Sequence, residues 1–215
     1  MGALAPFFLC YLTMAVARTT FLSAVNRVLQ MMGEAPVNSL TGQFPIAKQA
    51  QEILNDVSRK LQSEGWSFNT VLQQELQRNS SGEITMGPDV SRVVVDPLEY
   101  PDVDVTMRGD KLYDRKTGKF TFDEDLKADV TTCLDWDDLP EHARGYIVAR
   151  AGRQLQESLL GSADLTKINL TLEMEARSTF FEEETTRSEH NFLRGNPNRS
   201  SVLNTYMPSR ALQRF

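Results

Sequence analysis

The chain has 215 residues, 40% of them hydrophobic, and a formal net charge of −6; a chain of this length forms one substantial domain or two small ones and buries roughly 70% of its unfolded surface. The acidic balance argues against a protein that grips nucleic acid through clustered lysines and arginines, but not against one that DNA slides past. Cys10 and Cys133 are far apart and lack the spacing of a zinc site or a redox dithiol, so no disulfide scaffold is needed and folding in a reducing cytoplasm is the default.

Met1 to Ala17 are almost wholly apolar and end in Ala15-Val16-Ala17, which suits signal-peptide cleavage but lacks a basic n-region. Pro6 and Thr13 interrupt the run, which is too short for a membrane span. Residues 1–18 are therefore read as an N-terminal extension, an overlong start or a disordered arm, with a signal peptide as the alternative.

Phe21, Leu22, Val25, Val28, Leu29 and Met32 recur at helical spacing, with Thr19 or Thr20 as N-cap and Gly33 as the stop. Pro45 opens a second helix whose Ile46, Ala50, Ile53, Leu54, Val57 and Leu61 form one stripe before Gly65. From Trp66 the period changes. Val103, Val105 and Met107 alternate with polar residues, as do Val130, Thr132, Leu134 and Trp136. Turn signals at Asn79–Gly82, Gly87-Pro88, Arg108-Gly109-Asp110 and Lys116–Gly118 cut this stretch into hairpins, predicting a largely antiparallel sheet or small sandwich.

A third helix is predicted from Asp138 as N-cap, with Pro140 in its first turn and the row Ala143, Ile147, Ala151, Leu155, Leu159. Each glycine costs about 1 kcal/mol within a helix, so Gly145 and Gly152 on one side of it either permit a close approach to a neighbour, the favoured reading, or are simply tolerated. After Gly161, a fourth helix carries Leu165, Ile168, Leu172, Ala176 and Phe180, with a second stripe of Leu170, Met174 and Phe181. That width fits either contact with an adjacent subunit or a single well-covered core helix. Beyond His190 the chain is rich in Asn, Ser and Pro, with Arg194, Arg199, Arg210 and Arg214 unbalanced by any acid, a composition expected to be flexible in isolation.

The fold class expected is α+β: an antiparallel helical bundle built from the N- and C-terminal helices (residues 19–65 and 137–190), an inserted, mainly antiparallel β lobe (66–136) and a flexible basic tail (191–215).

An enzyme would need a site. The best acidic cluster is Asp135, Asp137, Asp138 and Glu141; paired carboxylates of this kind serve glycoside hydrolysis, but at a strand-to-helix junction they read as helix-capping residues. His142 and His190 lie in different elements without an evident metal or triad partner, and no phosphate-binding glycine loop is present. No cofactor is expected. Glu182, Glu183 and Glu184 read as a solvated face, or as a surface for a basic neighbour. Polysaccharide hydrolysis remains the alternative function, and duplex binding by the arginine-rich tail a weaker one.

The stretch from Leu22 to Leu40, a second helix closing on Glu64-Gly-Trp-Ser-Phe-Asn69, Leu112-Tyr-Asp-Arg115, and the run Asp137 to Val148 with Arg153-Gln154 beyond it together resemble the tail tubular protein A family, head-to-tail adaptors of short-tailed phages. The resemblance spans roughly residues 21 to 190. It implies a structural virion protein of the tail, assembled in the host cytoplasm as a dodecameric ring. Its implied partners are the portal protein, the nozzle built of tail tubular protein B and the tail fibres, and genomic DNA would pass through its channel without specific binding. On that footing Arg194, Arg199 and Arg210 are expected to face the portal. The turns carrying Arg108, Gly109, Asp110, Lys116 and Lys119 are expected to face nozzle or fibres.

Overall fold

The computed structural model describes residues 18–42 and 44–187; the expectations placed on 1–17, His190, Arg194, Arg199, Arg210 and the rest of the tail lie outside the described residues. Thr20 caps α1 (Phe21–Met31) by accepting a hydrogen bond from the Ser23 N–H, 3.2 Å, and the helix buries Ala24, Val25, Val28 and Leu29. Its exit runs through Gly33 at φ +81°, a left-handed conformation that glycine adopts without the Cβ penalty. Asn26 then pins the following loop, exchanging two hydrogen bonds with Val37.

Pro45 occupies the first turn of α2 (Pro45–Ser63), which turns Ala50, Leu54, Val57 and Leu61 inward. These side chains meet Ala143, Ile147, Ala151 and Leu155 of α3 (Glu141–Leu159) and Phe180 of α4 (Ala163–Arg187) in one core. Among the described residues, then, four α-helices contribute to a single apolar cluster.

The intervening strands are β1 (Thr70–Leu76), β2 (Val90–Val95), β3 (Val105–Arg108), β4 (Lys111–Asp114) and β5 (Leu126–Thr132). They form two antiparallel sheets, β1-β5-β2 and β3-β4, so the architecture is α+β. Leu76, Val93, Val95, Val105, Leu112, Leu126, Ala128 and Val130 make a second core that joins the two sheets, with Ile84 and Phe122 from the connections.

Two expected boundaries are corrected. The alternation through Trp136 is not one strand: β5 stops at Thr132 because side chains take over the ladder. Asn69 donates to the Thr132 carbonyl at 2.9 Å, and Gln62 exchanges hydrogen bonds with the N–H and C=O of Leu134 at 2.6 and 3.1 Å. Trp136 instead begins a 3-10 turn, Trp136–Asp138, and packs edge-on to Phe21. Asp138 does not cap α3. Leu139 precedes a proline and stays extended, which keeps the helix from starting before Pro140, the observed N-cap residue.

Of the two glycines in α3, an added Cβ at Gly152 would meet the Met31 sulfur at 2.3 Å, whereas one at Gly145 meets nothing within 4 Å. Close approach explains the first and not the second.

Candidate functional site

The feature that distinguishes this molecule is the way α4 is mounted. The α3–α4 corner is tight: the N–H groups of Leu160 and Gly161 both bond the Gln156 carbonyl, and the buried Gln156 amide reaches Ser162 and Thr166 across it. Along the seam with α3, α4 then offers Asn169, Glu173, Phe180 and Glu184, all buried. Arg153 pairs with Glu173 and with Glu157, while Arg150 lies 4.0 Å from Glu173. Those carboxylates raise the pKa of Arg153 against the opposing effect of burial, so it carries its charge at any working pH.

Further along, His142 Nε2 lies 3.0 Å from Glu184 Oε1, and the other carboxylate oxygen accepts from the Ser67 hydroxyl at 2.7 Å and its N–H at 3.2 Å. Neither pairing was visible in the sequence, where 42 and 117 residues separate the partners. The reading of Glu184 as part of a solvated run is thus corrected, since Ser67 and His142 hold it inward. The order Ser–Glu–His places the acid between the other two, whereas nucleophilic catalysis needs the histidine in the middle. This group fastens the end of α4 to α3 and to the segment before β1. Phe180 completes the joint against the rings of Trp66, Phe68, His142 and Tyr146 at 4.7 to 6.5 Å.

Because the seam is polar, the leucines go elsewhere. Leu165, Ile168, Leu170, Leu172, Met174 and Phe181 are 37%, 58%, 39%, 44%, 60% and 40% exposed. The stripe predicted to enter the core therefore does so only at Phe180 and, partly, at Ala176. The cause lies opposite: α3 presents Arg150, Arg153 and His142, which select Glu173 and Glu184 as partners and rotate the apolar residues outward. Of the two readings of the fourth helix, the well-covered core helix is not the one observed.

Next to Leu172 and Ala176, an apolar groove of about 460 Å³ runs between α1, α3 and α4, lined also by Met31, Gly145, Val148 and Ala149. On the other side of α4, a cleft of about 300 Å³ is lined by Trp66, Arg150, Arg177 and Phe181 among others.

The acidic cluster does not converge on a reaction site. Asp135, Asp137 and Asp138 are exposed around the 3-10 turn, with no side-chain cap bond there. Glu141 receives the hydroxyl and N–H of Thr19. Burial pushes its carboxyl up, but those hydrogen bonds and the charges of Arg144 and Arg27 outweigh it and leave the pKa below the ordinary value. Behind it, buried Arg144 donates to the carbonyls of Thr19 at 2.9 Å and Asp137 at 2.7 Å. Capping by the aspartate side chains is thus replaced by a clasp between the chain entering α1 and the start of α3. Among the described residues, no cluster of three or more His, Cys, Asp or Glu could hold a metal, and no helix is long and apolar enough to cross a membrane.

The candidate turns sit at opposite ends of β4. Arg108 ends β3 and Gly109 and Asp110 form the β3–β4 connection, with Gly109 at φ +65° and the Arg108 guanidinium 3.5 Å from the Tyr113 ring centre. Lys116 and Lys119 belong to the following turn, organised by Asp114, whose buried carboxylate accepts from the N–H groups of Asp104, Lys116 and Thr117 and from the Thr117 hydroxyl. The Lys116 ammonium bonds the Pro101 carbonyl, and the Lys119 carbonyl accepts from the Asp114 N–H at 2.9 Å.

Residues 22–190 match the family described as Tube, Tail tubular protein. The chain is also similar to "Tail tubular protein A" of Klebsiella phage KP34, 31% identical over 140 residues that make up 65% of this chain and 73% of that protein.

Proposed function

Because this chain belongs to the tail tubular protein family, a family of structural components of phage tails, we propose that it works as a ring-forming adaptor, twelve copies joining the portal to the tail nozzle. In this role it completes the channel for DNA, retains the genome after packaging and gives the nozzle of tail tubular protein B and the tail fibres a place to dock. The observation that carries the reading is the uncovered apolar surface of α4, six large side chains on one helix. So many large apolar side chains left uncovered on one helix mark it as interaction surface.

The overall charge of −6 suits a conduit that does not hold the DNA passing through it. Assembly takes place in the host cytoplasm and the finished location is the virion tail. Arg194, Arg199 and Arg210 engage the portal, and the turns at Arg108–Asp110 and Lys116–Lys119 face nozzle or fibres. The role requires no reaction and no cofactor.

Electron microscopy of the purified protein, alone and mixed with its portal, tests the reading. Twelve-membered rings seated on the portal are the expected result; a protein that stays monomeric beside assembled portal overturns it. Deleting residues 194–215 should weaken portal capture in a pull-down, and unchanged capture removes the tail from that contact.

A further inference from the structure

Six exposed apolar side chains on α4 do not form one patch. At 3.6 residues per turn, Leu165, Ile168 and Leu172 fall on one side of the buried seam and Leu170, Met174 and Phe181 on the other, the two groups centred roughly 170° apart. The seam residues Asn169, Glu173, Phe180 and Glu184 lie between them. The helix is therefore mounted edge-on, with an apolar flank facing either way along the molecule's surface.

The flanks also differ in charge. On the helical net, Glu175 and Glu182 border the Ile168 side, whereas Lys167 and Arg177 border the Met174 side. The Ile168 flank opens into the groove at Met31, Gly145 and Val148, whose rim also carries Arg27, and the Met174 flank carries the projecting Met174 and Phe181.

An isologous dimer uses one patch twice; a closed ring uses two different patches, each complementary to the other. Resting on the ring reading above, we infer that α4 is the ring-closing element: the Met174 flank of one copy docks on the Ile168 flank and groove of the next. One flank of this 25-residue helix presents on the order of 400 Å², about half the roughly 800 Å² per partner of a stable interface, so α4 supplies part of the contact and the groove formed with α1 and α3 adds to it. Lys167 and Arg177 on one flank and Glu175 and Glu182 on the other favour this direction of docking on α4 itself.

The test uses Ile168→Glu and Met174→Glu in the full chain, at positions 58% and 60% exposed, with native mass spectrometry and thermal melts as readouts. Each variant alone should lose rings at least tenfold while melting as the dissociated wild-type protein does. Mixed one to one, the two should yield heterodimers and no rings, because each retains one intact flank. Gly145→Leu should likewise abolish rings by filling the groove, since an added Cβ there meets no other atom within 4 Å.

Rings that persist in all three variants, or that re-form fully in the mixture, overturn the flank assignment and leave the ring reading standing. A lowered Tm of Ile168→Glu with rings intact points instead to residues 1–17 of the same chain as the occupant of the groove, and also overturns it. Wild-type protein that stays monomeric beside the portal overturns the ring reading itself.

Discussion

Around Phe180 the helices gather aromatic rings from α3, α4 and the segment before β1, whereas around Asp114 the strands wrap a turn onto a single carboxylate. The first arrangement joins residues far apart in the chain and is held mainly by excluded water. The second is local and polar, anchored within a few residues of β4. The difference shows where each region tolerates change. The helical core depends on a few large side chains at its joint, while the strand-rich part depends on satisfied hydrogen bonds at its turns.

Phe180→Ala should be the most damaging of the substitutions considered. The side chain is fully buried, and its loss leaves a cavity that costs about 4 kcal/mol, read as a fall in denaturation midpoint. Arg144→Ala should cost about 2 kcal/mol, because the buried guanidinium is lost, the Asp137 carbonyl loses its bond to it and the Thr19 carbonyl keeps only the Trp136 indole. Were it nearly neutral, the clasp between Thr19 and α3 would not contribute to the helical core.

Asp114→Ala should cost about 2 kcal/mol and act on the other region. Hydrogen exchange should quicken in β3 and β4 while the amides of α2 and α3 stay protected; uniform loss of protection would mean that the two cores open together.

Acid provides a milder probe of both regions. Burial raises the pKa of Asp114, but the hydrogen bonds from Thr117, Lys116 and Asp104 together hold it below its ordinary 3.8, and Glu141 is likewise held below 4.5. For carboxyls depressed in this way, the stabilisation is complete above the unfolded value and is lost as pH falls through the folded one. Stability from these two groups should be flat from neutral pH to about 5 and decline below 4, with Asp114→Asn and Glu141→Gln each flattening that decline.

Gly145→Ala should give the smallest change, and in the opposite direction: a gain of about 0.5–1 kcal/mol, because alanine favours the helix and the position is open.

How much of this was legible depended on whether a local signal existed. Thr20, Pro45 and Gly65 mark helix ends by their own chemistry, and all three act there. Gly109 and Gly118 announced their turns for the same reason. The end of β5 was missed because the amides that terminate it come from Gln62 and Asn69, remote from the alternating residues. The orientation of α4 was missed because its two apolar stripes outvoted the acids that the helix in fact buries. Only the arginines and histidine of α3, brought opposite by the fold, decide between them. Periodicity describes what one helix could bury and says nothing of what its neighbour asks for.

The Thr19 carbonyl accepts from both the Trp136 indole and the Arg144 guanidinium, and its N–H and hydroxyl are held by Glu141. The backbone leaving this knot upstream therefore starts from a fixed spot beside the first turn of α3. A small fluorescent or gold-binding tag joined ahead of Arg18 would begin at the same place on every copy, and in a closed annulus its density would repeat at constant radius.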